Sequence, residues 1–166
     1  MKKYALLLVL PVAVALVLSF KAGKKEINVD PSVINDTILY PDEKHFKNIQ
    51  QLTFGGDNAE AYFSYDGKWL IFQKTYAKEG IPCDQMYIGK IPTKKGEKFI
   101  PKLVSTGKGR TTCGAFMKDG KHIIYASTHL GSSDCPPIPD RSKYGNKYIW
   151  PLYDSYDIFI ADLNGK

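Results

Sequence analysis

One hairpin-like segment occurs twice in this chain and limits what it can fold into. Apolar and aromatic residues surround Asp66-Gly67, and a similar run surrounds Asp119-Gly120, 53 positions later (119 − 66 = 53). Asp-Gly is typical of tight hairpin turns, because such turns need positive φ angles. The flanking aromatic and β-branched residues favour strands. The duplication therefore predicts repeated antiparallel hairpins in an all-β chain.

A third strand extends each copy, but at a different spacing. Residues 157–163 resemble residues 85–91, an offset of 72 (157 − 85 = 72). The second copy thus carries an insertion of 19 residues (72 − 53 = 19), which lies within 128–155. Four short antiparallel strands make one blade of a β-propeller. The pattern predicts about two such blades in an incomplete ring, with blade one over 60–104 and an incomplete blade two over 113–163.

The apolar strand residues predict how the blades pack. One blade cannot bury both of its faces alone, so neighbouring blades must cover them. The side chains expected between the blades are Phe63, Leu70, Phe72, Phe116, Ile124 and Tyr125.

The N-terminal segment predicts export. Lys2 and Lys3 precede an apolar, uncharged run, and small residues follow it, which is typical of a secretory signal peptide. We predict a signal peptide over 1–19, a polar linker over 20–48, a partial propeller over 49–166, and no stable membrane span after cleavage. The expected localisation is periplasmic or secreted. The formal charge of +6 comes from scattered lysines, which argues against nucleic-acid binding.

The repeat has a family resemblance. Leu52-Thr53, followed by Ser64-Tyr-Asp-Gly-Lys68 and an apolar strand, resembles the N-terminal portion of the TolB-like periplasmic β-propellers with WD-like (PD-type) repeats. Tyr65 and Lys118 stand where that family usually has proline. The likeness covers 49–163 and implies a propeller. Propellers of this kind also precede the catalytic domains of prolyl-oligopeptidase-type peptidases.

The resemblance also suggests a role for residues 49–53. In the family, a lone N-terminal strand closes the ring by completing the last blade, and residues 49–53 are equivalent to 102–106. Two blades fall short of the usual four to eight. We therefore keep two alternatives: the chain is the front part of a longer propeller, or three copies close a six-bladed ring as a homotrimer.

Three cysteines are present, Cys83, Cys113 and Cys135. Export permits disulfides, and we expect either Cys113 or Cys83 to pair with Cys135 and hold the insertion. The sequence has no closely spaced pair of metal ligands, such as Cys-x-x-Cys or His-x-x-x-His, so we expect no metal site and no cofactor.

Propeller geometry predicts where a partner binds. Loops that enter the innermost strand and loops between the second and third strands emerge on one face. The candidate binding residues at the channel mouth and on the insertion are Asp57, Asn58, Glu60, Arg110, Thr112, Asp134, Asp140, Arg141 and Trp150. The insertion either binds a protein, peptide or glycan, or packs Trp150 and Tyr153 back on the blade.

Catalysis has little support in the sequence. There is no Gly-x-Ser-x-Gly motif, and His45, His122 and His129 have no evident nucleophile partner. We predict a non-catalytic, TolB-like binding or scaffolding module of the cell envelope with a protein or peptide partner. The alternative is the N-terminal propeller of a secreted peptidase whose catalytic domain lies outside this chain. A structural subunit of an envelope complex is a third reading.

Overall fold

The computed structural model describes residues 40, 42–46, 49–94, 96–145 and 147–166. The predicted signal peptide and most of the predicted linker, residues 20–48, lie outside the described residues.

Seven strands form two antiparallel sheets, each in chain order. The first sheet contains β1 (Asp57–Phe63), β2 (Trp69–Tyr76), β3 (Ile81–Lys90) and β4 (Lys102–Leu103). The second sheet contains β5 (Thr111–Phe116), β6 (His122–Ser127) and β7 (Asp157–Asp162). Two short 3₁₀ helices, Ala77–Glu79 and Arg141–Tyr144, are the helical elements of the described residues. The prediction of an all-β antiparallel fold is confirmed.

The first hairpin of each sheet has the same register. Tyr62 lies opposite Ile71 in the first sheet, and Ala115 lies opposite Ile124 in the second. Both residues of the second pair lie 53 positions after their equivalents in the first pair (115 − 62 = 53 and 124 − 71 = 53). The duplicated sequence therefore builds duplicated pairing.

The second hairpin of each sheet also has the same register, despite the insertion. Ile88 lies opposite Ile71, and Ile160 lies opposite Ile124. The offset on the third strand is 72 (160 − 88 = 72), as the sequence predicted. The 19 additional residues therefore leave the ladder between the strands unchanged.

The two sheets bury one apolar cluster between them. Its members are Ile71, Met86, Ile88 and Val104 from the first sheet, and Phe116, Ile123, Tyr125 and Ala161 from the second. Gly114 lets the sheets approach closely, because a Cβ there would lie 2.3 Å from Met86 Sδ.

The contact between the sheets is head-to-tail. Successive strand residues point to opposite faces, and Ile71 in the first sheet is equivalent to Ile124 in the second. Yet the second sheet contributes Ile123, the neighbour of Ile124, to the cluster. We call the face of each sheet that carries Ile71 or Ile124 its back face, and the other its front face. The back of the first sheet thus packs on the front of the second.

Part of the predicted core is wrong for this reason. Phe116 and Tyr125 are buried between the sheets as expected. Phe72 is buried, but against Tyr87 and Phe99 on the front of the first sheet. Phe63 is 69% exposed on that same face. Leu70 and Ile124 are only half-buried, because no sheet in the described part of the chain covers their faces.

The predicted ring-closing strand over 49–53 is not formed, and β4 is only two residues long. A strand needs a neighbouring edge to pair with, and residues 49–53 meet none among the described residues. The seven described strands do not close into a ring.

Candidate functional site

The first strand of each sheet contains a bulge at a predicted site residue. Register breaks occur between Ala59 and Tyr62 and again between Thr112 and Ala115. Within the breaks, Glu60 has φ 50° and Cys113 has φ 53°. Side chains rarely adopt this left-handed conformation, which costs about 1 kcal/mol or more. The two positions are equivalent at the offset of 53 (113 − 60 = 53), and both bulges re-aim a polar side chain at the strand edge.

Gln73 connects the bulge of the second sheet to the first sheet. Its side-chain oxygen accepts hydrogen bonds from Thr112 Oγ1 at 2.8 Å and from the Cys113 backbone N–H at 2.9 Å. Gln73 itself is buried at 9% exposure. A single amide oxygen therefore holds the irregular backbone of β5 against β2. The sequence reading placed Thr112 at a binding site but missed Gln73.

Arg110 and Asp84 form an ion pair beside this bulge. Arg110 Nη1 lies 3.6 Å from Asp84 Oδ2, and Asp84 Oδ1 accepts a hydrogen bond from Thr75 Oγ1 at 2.7 Å. Arg110 Nε is buried without a partner among the described residues. Nearby, burial raises the pKa of the Tyr156 hydroxyl, and the positive charge of Arg110 opposes that rise.

Glu60 has a local partner in place of a cross-sheet one. The Tyr62 hydroxyl donates a short hydrogen bond to Glu60 Oε2. This bond, together with the negative charge of Glu60, raises the pKa of Tyr62. The structure therefore brings Thr112, Cys113 and Arg110 to one edge with Gln73 and Asp84, while Glu60 engages its own strand.

A second buried polar set supports the same region. Gln85 Nε2 donates to the Gly109 carbonyl at 2.7 Å, and Gln85 Oε1 accepts from Ser105 Oγ at 2.8 Å. Ser105 Oγ in turn accepts from the Met86 N–H at 3.0 Å. These bonds fix the loop that leads into Arg110. Gln85 in β3 and Ser105 after β4 are both buried, and the sequence analysis assigned a role to neither of them.

One disulfide holds the insertion to the first sheet. It joins Cys83 in β3 to Cys135, 52 positions later, so of the two pairings left open the structure shows this one. Cys113 is an exposed free thiol. The predicted binding segment is thus tied to β3 at Cys135.

The insertion exposes large apolar side chains. Leu130, Ile138, Tyr148, Trp150 and Leu152 are all exposed, with Trp150 at 66% and Leu152 at 87%. The rings of Tyr148 and Trp150 are 6.3 Å apart. Tyr153 instead binds within the insertion, since its hydroxyl donates to the Pro137 carbonyl at 2.9 Å. Packing of Trp150 back on the sheet is therefore not observed.

The remaining predicted site residues are not gathered into one site. Asn58 Nδ2 donates to the Gly55 carbonyl, and its Oδ1 is buried without a partner among the described residues. Asp140 caps the 3₁₀ helix by accepting from Ser142, which lowers its pKa. The others, Asp57, Asp134 and Arg141, are exposed.

Two histidines have hydrogen-bond partners in or next to strands. His122 Nδ1 lies 2.6 Å from Asp119 Oδ2, and this hydrogen bond is the largest cause that lowers the pKa of Asp119 to about 2. His129 Nδ1 lies 2.8 Å from Ser127 Oγ. Ser127 is fully buried, so its hydroxyl is not accessible to a substrate in this conformation.

Among the described residues, no group of three or more His, Cys, Asp or Glu side chains is placed to hold a metal ion. None of the helices in that part of the chain has the length and apolar character needed to span a bilayer. No family model, curated protein or solved structure matches this chain.

Proposed function

We propose that this chain is an exported, non-catalytic binding or scaffolding module of β-propeller type, which takes a protein or peptide partner of the cell envelope on its insertion. The observation that carries the proposal is the anchored insertion with its exposed Tyr148 and Trp150. Tyrosine and tryptophan are enriched among the residues that contribute most to protein interfaces.

The propeller part of the proposal is supported by the pairing of the two sheets. Equivalent residues pair at an offset of 53 on both strands of the first hairpin, and at offsets of 53 and 72 in the second, and the sheets stack head-to-tail. Stacked, repeated antiparallel sheets are how a propeller buries its blade faces. The front faces also match in detail: Phe72 and Tyr87 have ring centroids 6.1 Å apart, as do their equivalents Tyr125 and Phe159.

The binding role is supported by the way the insertion is held. Cys135 ties it to β3, and Tyr153 bonds to the carbonyl of Pro137 inside it. A loop restrained in this way loses less conformational entropy when a partner binds. A disulfide also suits an oxidising compartment, in agreement with the predicted export signal.

Site-specific photo-crosslinking in intact cells tests this role. A photoreactive amino acid replaces Trp150 in one variant and the equally exposed Tyr65 in a matched control, because Tyr65 lies on a turn outside the insertion. We expect a discrete crosslinked product from position 150 and none from position 65. Absence of a product at 150, or the same products at both positions, would overturn the proposal.

A further inference from the structure

Two apolar sheet faces have no other sheet packed on them in the described part of the chain. The front of the first sheet carries Phe63, Leu70, Phe72 and Tyr87. Phe99 packs against Phe72 and lies over Gly89, so this face is open mainly at Phe63 and, in part, at Leu70. The back of the second sheet presents Ala115, Ile124, Ile158 and Ile160. Phe63 and Ile158 are each 69% exposed, and Ile160 is 60% exposed. Exposed apolar faces of this kind are typical of interaction surfaces.

These two faces are the counterparts of the two that pack together inside the molecule. On the buried side, the back of the first sheet supplies Ile71 and Ile88, whose equivalents in the second sheet are Ile124 and Ile160. The front of the second sheet supplies Phe116, whose equivalent in the first sheet is Phe63 (116 − 53 = 63). The chain therefore leaves counterparts of most of that contact without a covering sheet, although Phe72 lies against Phe99 and Val104 has no counterpart among the described residues.

The close approach of Gly114 to Met86 within that contact could also be reproduced between the front of the first sheet and the back of the second. Inside the molecule, Gly114 leaves room for the long side chain of Met86. At the uncovered faces, the equivalent of Gly114 is Ala61 (114 − 53 = 61), and the equivalent of Met86 is Ile158 (86 + 72 = 158). The added methyl group of alanine is thus offset by a shorter side chain opposite it.

We propose that the back of the second sheet binds the front of the first sheet of another copy of this chain, in the head-to-tail arrangement that joins the two sheets internally. A second copy is the occupant because every chain presents both complementary faces. One molecule cannot pair them with each other, since they lie on opposite sides of its two-sheet stack. The insertion takes no part in this contact, so failure of either proposal leaves the other standing.

The geometry determines the type of assembly. The two faces are different, so each added copy leaves one face of each kind available, until a ring closes. We therefore expect concentration-dependent association beyond a dimer. A two-fold dimer would need one face to pair with itself, which the head-to-tail contact does not do.

Two charged variants test the contact. Phe63→Asp disables the front face and Ile160→Asp disables the back face, while each leaves the other face intact. In sedimentation velocity on the full chain, we expect each variant alone to associate at least about tenfold more weakly than the wild type. A mixture of the two variants should form a one-to-one complex, because the variants retain complementary faces.

The matched control is Tyr65→Asp, which introduces the same charge at an exposed position on the turn between β1 and β2 and should associate like the wild type. A monomeric wild type, a two-fold dimer, or a mixture that stays monomeric would overturn the proposal. If circular dichroism shows that a charged variant is unfolded, Phe63→Ala and Ile160→Ala provide the same mixing test. Unchanged association in both alanine variants would equally overturn it.

Discussion

Gln73 is a residue whose role depends on one oxygen atom. Its Oε1 accepts two hydrogen bonds from the bulged strand of the other sheet, at Thr112 and Cys113. A buried N–H that loses its acceptor costs about 1–3 kcal/mol. This amide therefore stabilises the contact between the sheets and the geometry of the bulge together.

Replacing Gln73 with leucine tests that role. Leucine preserves the apolar bulk but removes the acceptor, so we expect Gln73→Leu to lower the free energy of unfolding by about 1–2 kcal/mol. Urea denaturation provides the measurement. Gln51→Leu is the matched control, because Gln51 is exposed and bonds only to the carbonyl of Thr53. Equal losses in both variants would contradict the role given to Gln73.

Asp119 carries the clearest prediction of pH dependence. The hydrogen bond from His122, followed by the Lys121 N–H, lowers its pKa from 3.8 to about 2. Because the folded-state pKa is depressed, the stabilisation is complete above about pH 4 and is lost as pH falls toward 2. Measurement of the carboxyl chemical shift by NMR should give a midpoint near 2 for Asp119.

Replacing His122 tests the cause. His122→Phe should raise the pKa of Asp119 toward its ordinary value, though not fully, because the backbone donors remain. Asp66 is the internal control: its pKa is lowered chiefly by the Ser64 hydroxyl and should not change in this variant. An unchanged midpoint for Asp119 would rule out His122 as the main cause.

At the scale of single residues, the sequence predicted some features and hid others. The Asp-Gly turns were predictable because their φ angles demand particular residues. The bulges at Glu60 and Cys113 could not be predicted, since neither glutamate nor cysteine favours a positive φ angle. Gln73 was missed because an amide on a strand is uninformative until its cross-sheet partner is known.

Among the elements, the disulfide between Cys83 and Cys135 links the insertion covalently to β3. The bridge closes a segment of about 50 residues that includes most of β3, all of β4 to β6 and the start of the insertion. Closing so long a loop reduces the entropy of the unfolded chain, by an amount worth about 2–4 kcal/mol of stability.

Removal of Cys135 tests this contribution. Cys135→Ser should lower the free energy of unfolding by about 2–4 kcal/mol, measured in urea without reductant. The control is Cys113→Ser, which removes an exposed free thiol and should change stability by less than about 0.5 kcal/mol. An equally large loss from Cys113→Ser would indicate that Cys113, and not Cys83, forms the bridge with Cys135.

Most strands could be predicted from local pattern, since hairpin turns and alternating side chains are local signals. The two Asp-Gly turns lie between β1 and β2 and between β5 and β6, as the sequence predicted. Residues 49–53 have equally good strand composition but form no strand. Strand formation there depends on a neighbouring edge, which composition does not specify.

For the whole molecule, the stacking of the sheets was harder to predict than the sheets themselves. Both faces of both sheets carry apolar residues, so alternation alone does not reveal which face is covered. Phe63 was expected in the core and is exposed, whereas Met86 was not expected there and is fully buried. The candidate site was only partly predictable for the same reason: Arg110 meets Asp84, and Thr112 meets Gln73, only through the stacking.

Hydrogen exchange provides a test at this scale. β2 and β6 are paired on both sides, whereas β7 is paired only with β6 among the described strands. We expect the slowest amide exchange in β2 and β6, and fast exchange at the β7 amides that point away from β6. Uniformly slow exchange along β7 would show that its outer edge is covered.

The matched registers have a consequence for the insertion. Lys74 and Gln85 close a connection of 10 residues in the first sheet (85 − 74 − 1 = 10), and their equivalents Ser127 and Asp157 close one of 29 (157 − 127 − 1 = 29). Since equivalent residue pairs close both connections, the two-sheet framework tolerates connections that differ almost threefold in length. A foreign recognition loop could be grafted between Thr128 and Tyr156 without altering the strands, which makes this position a natural place to diversify specificity.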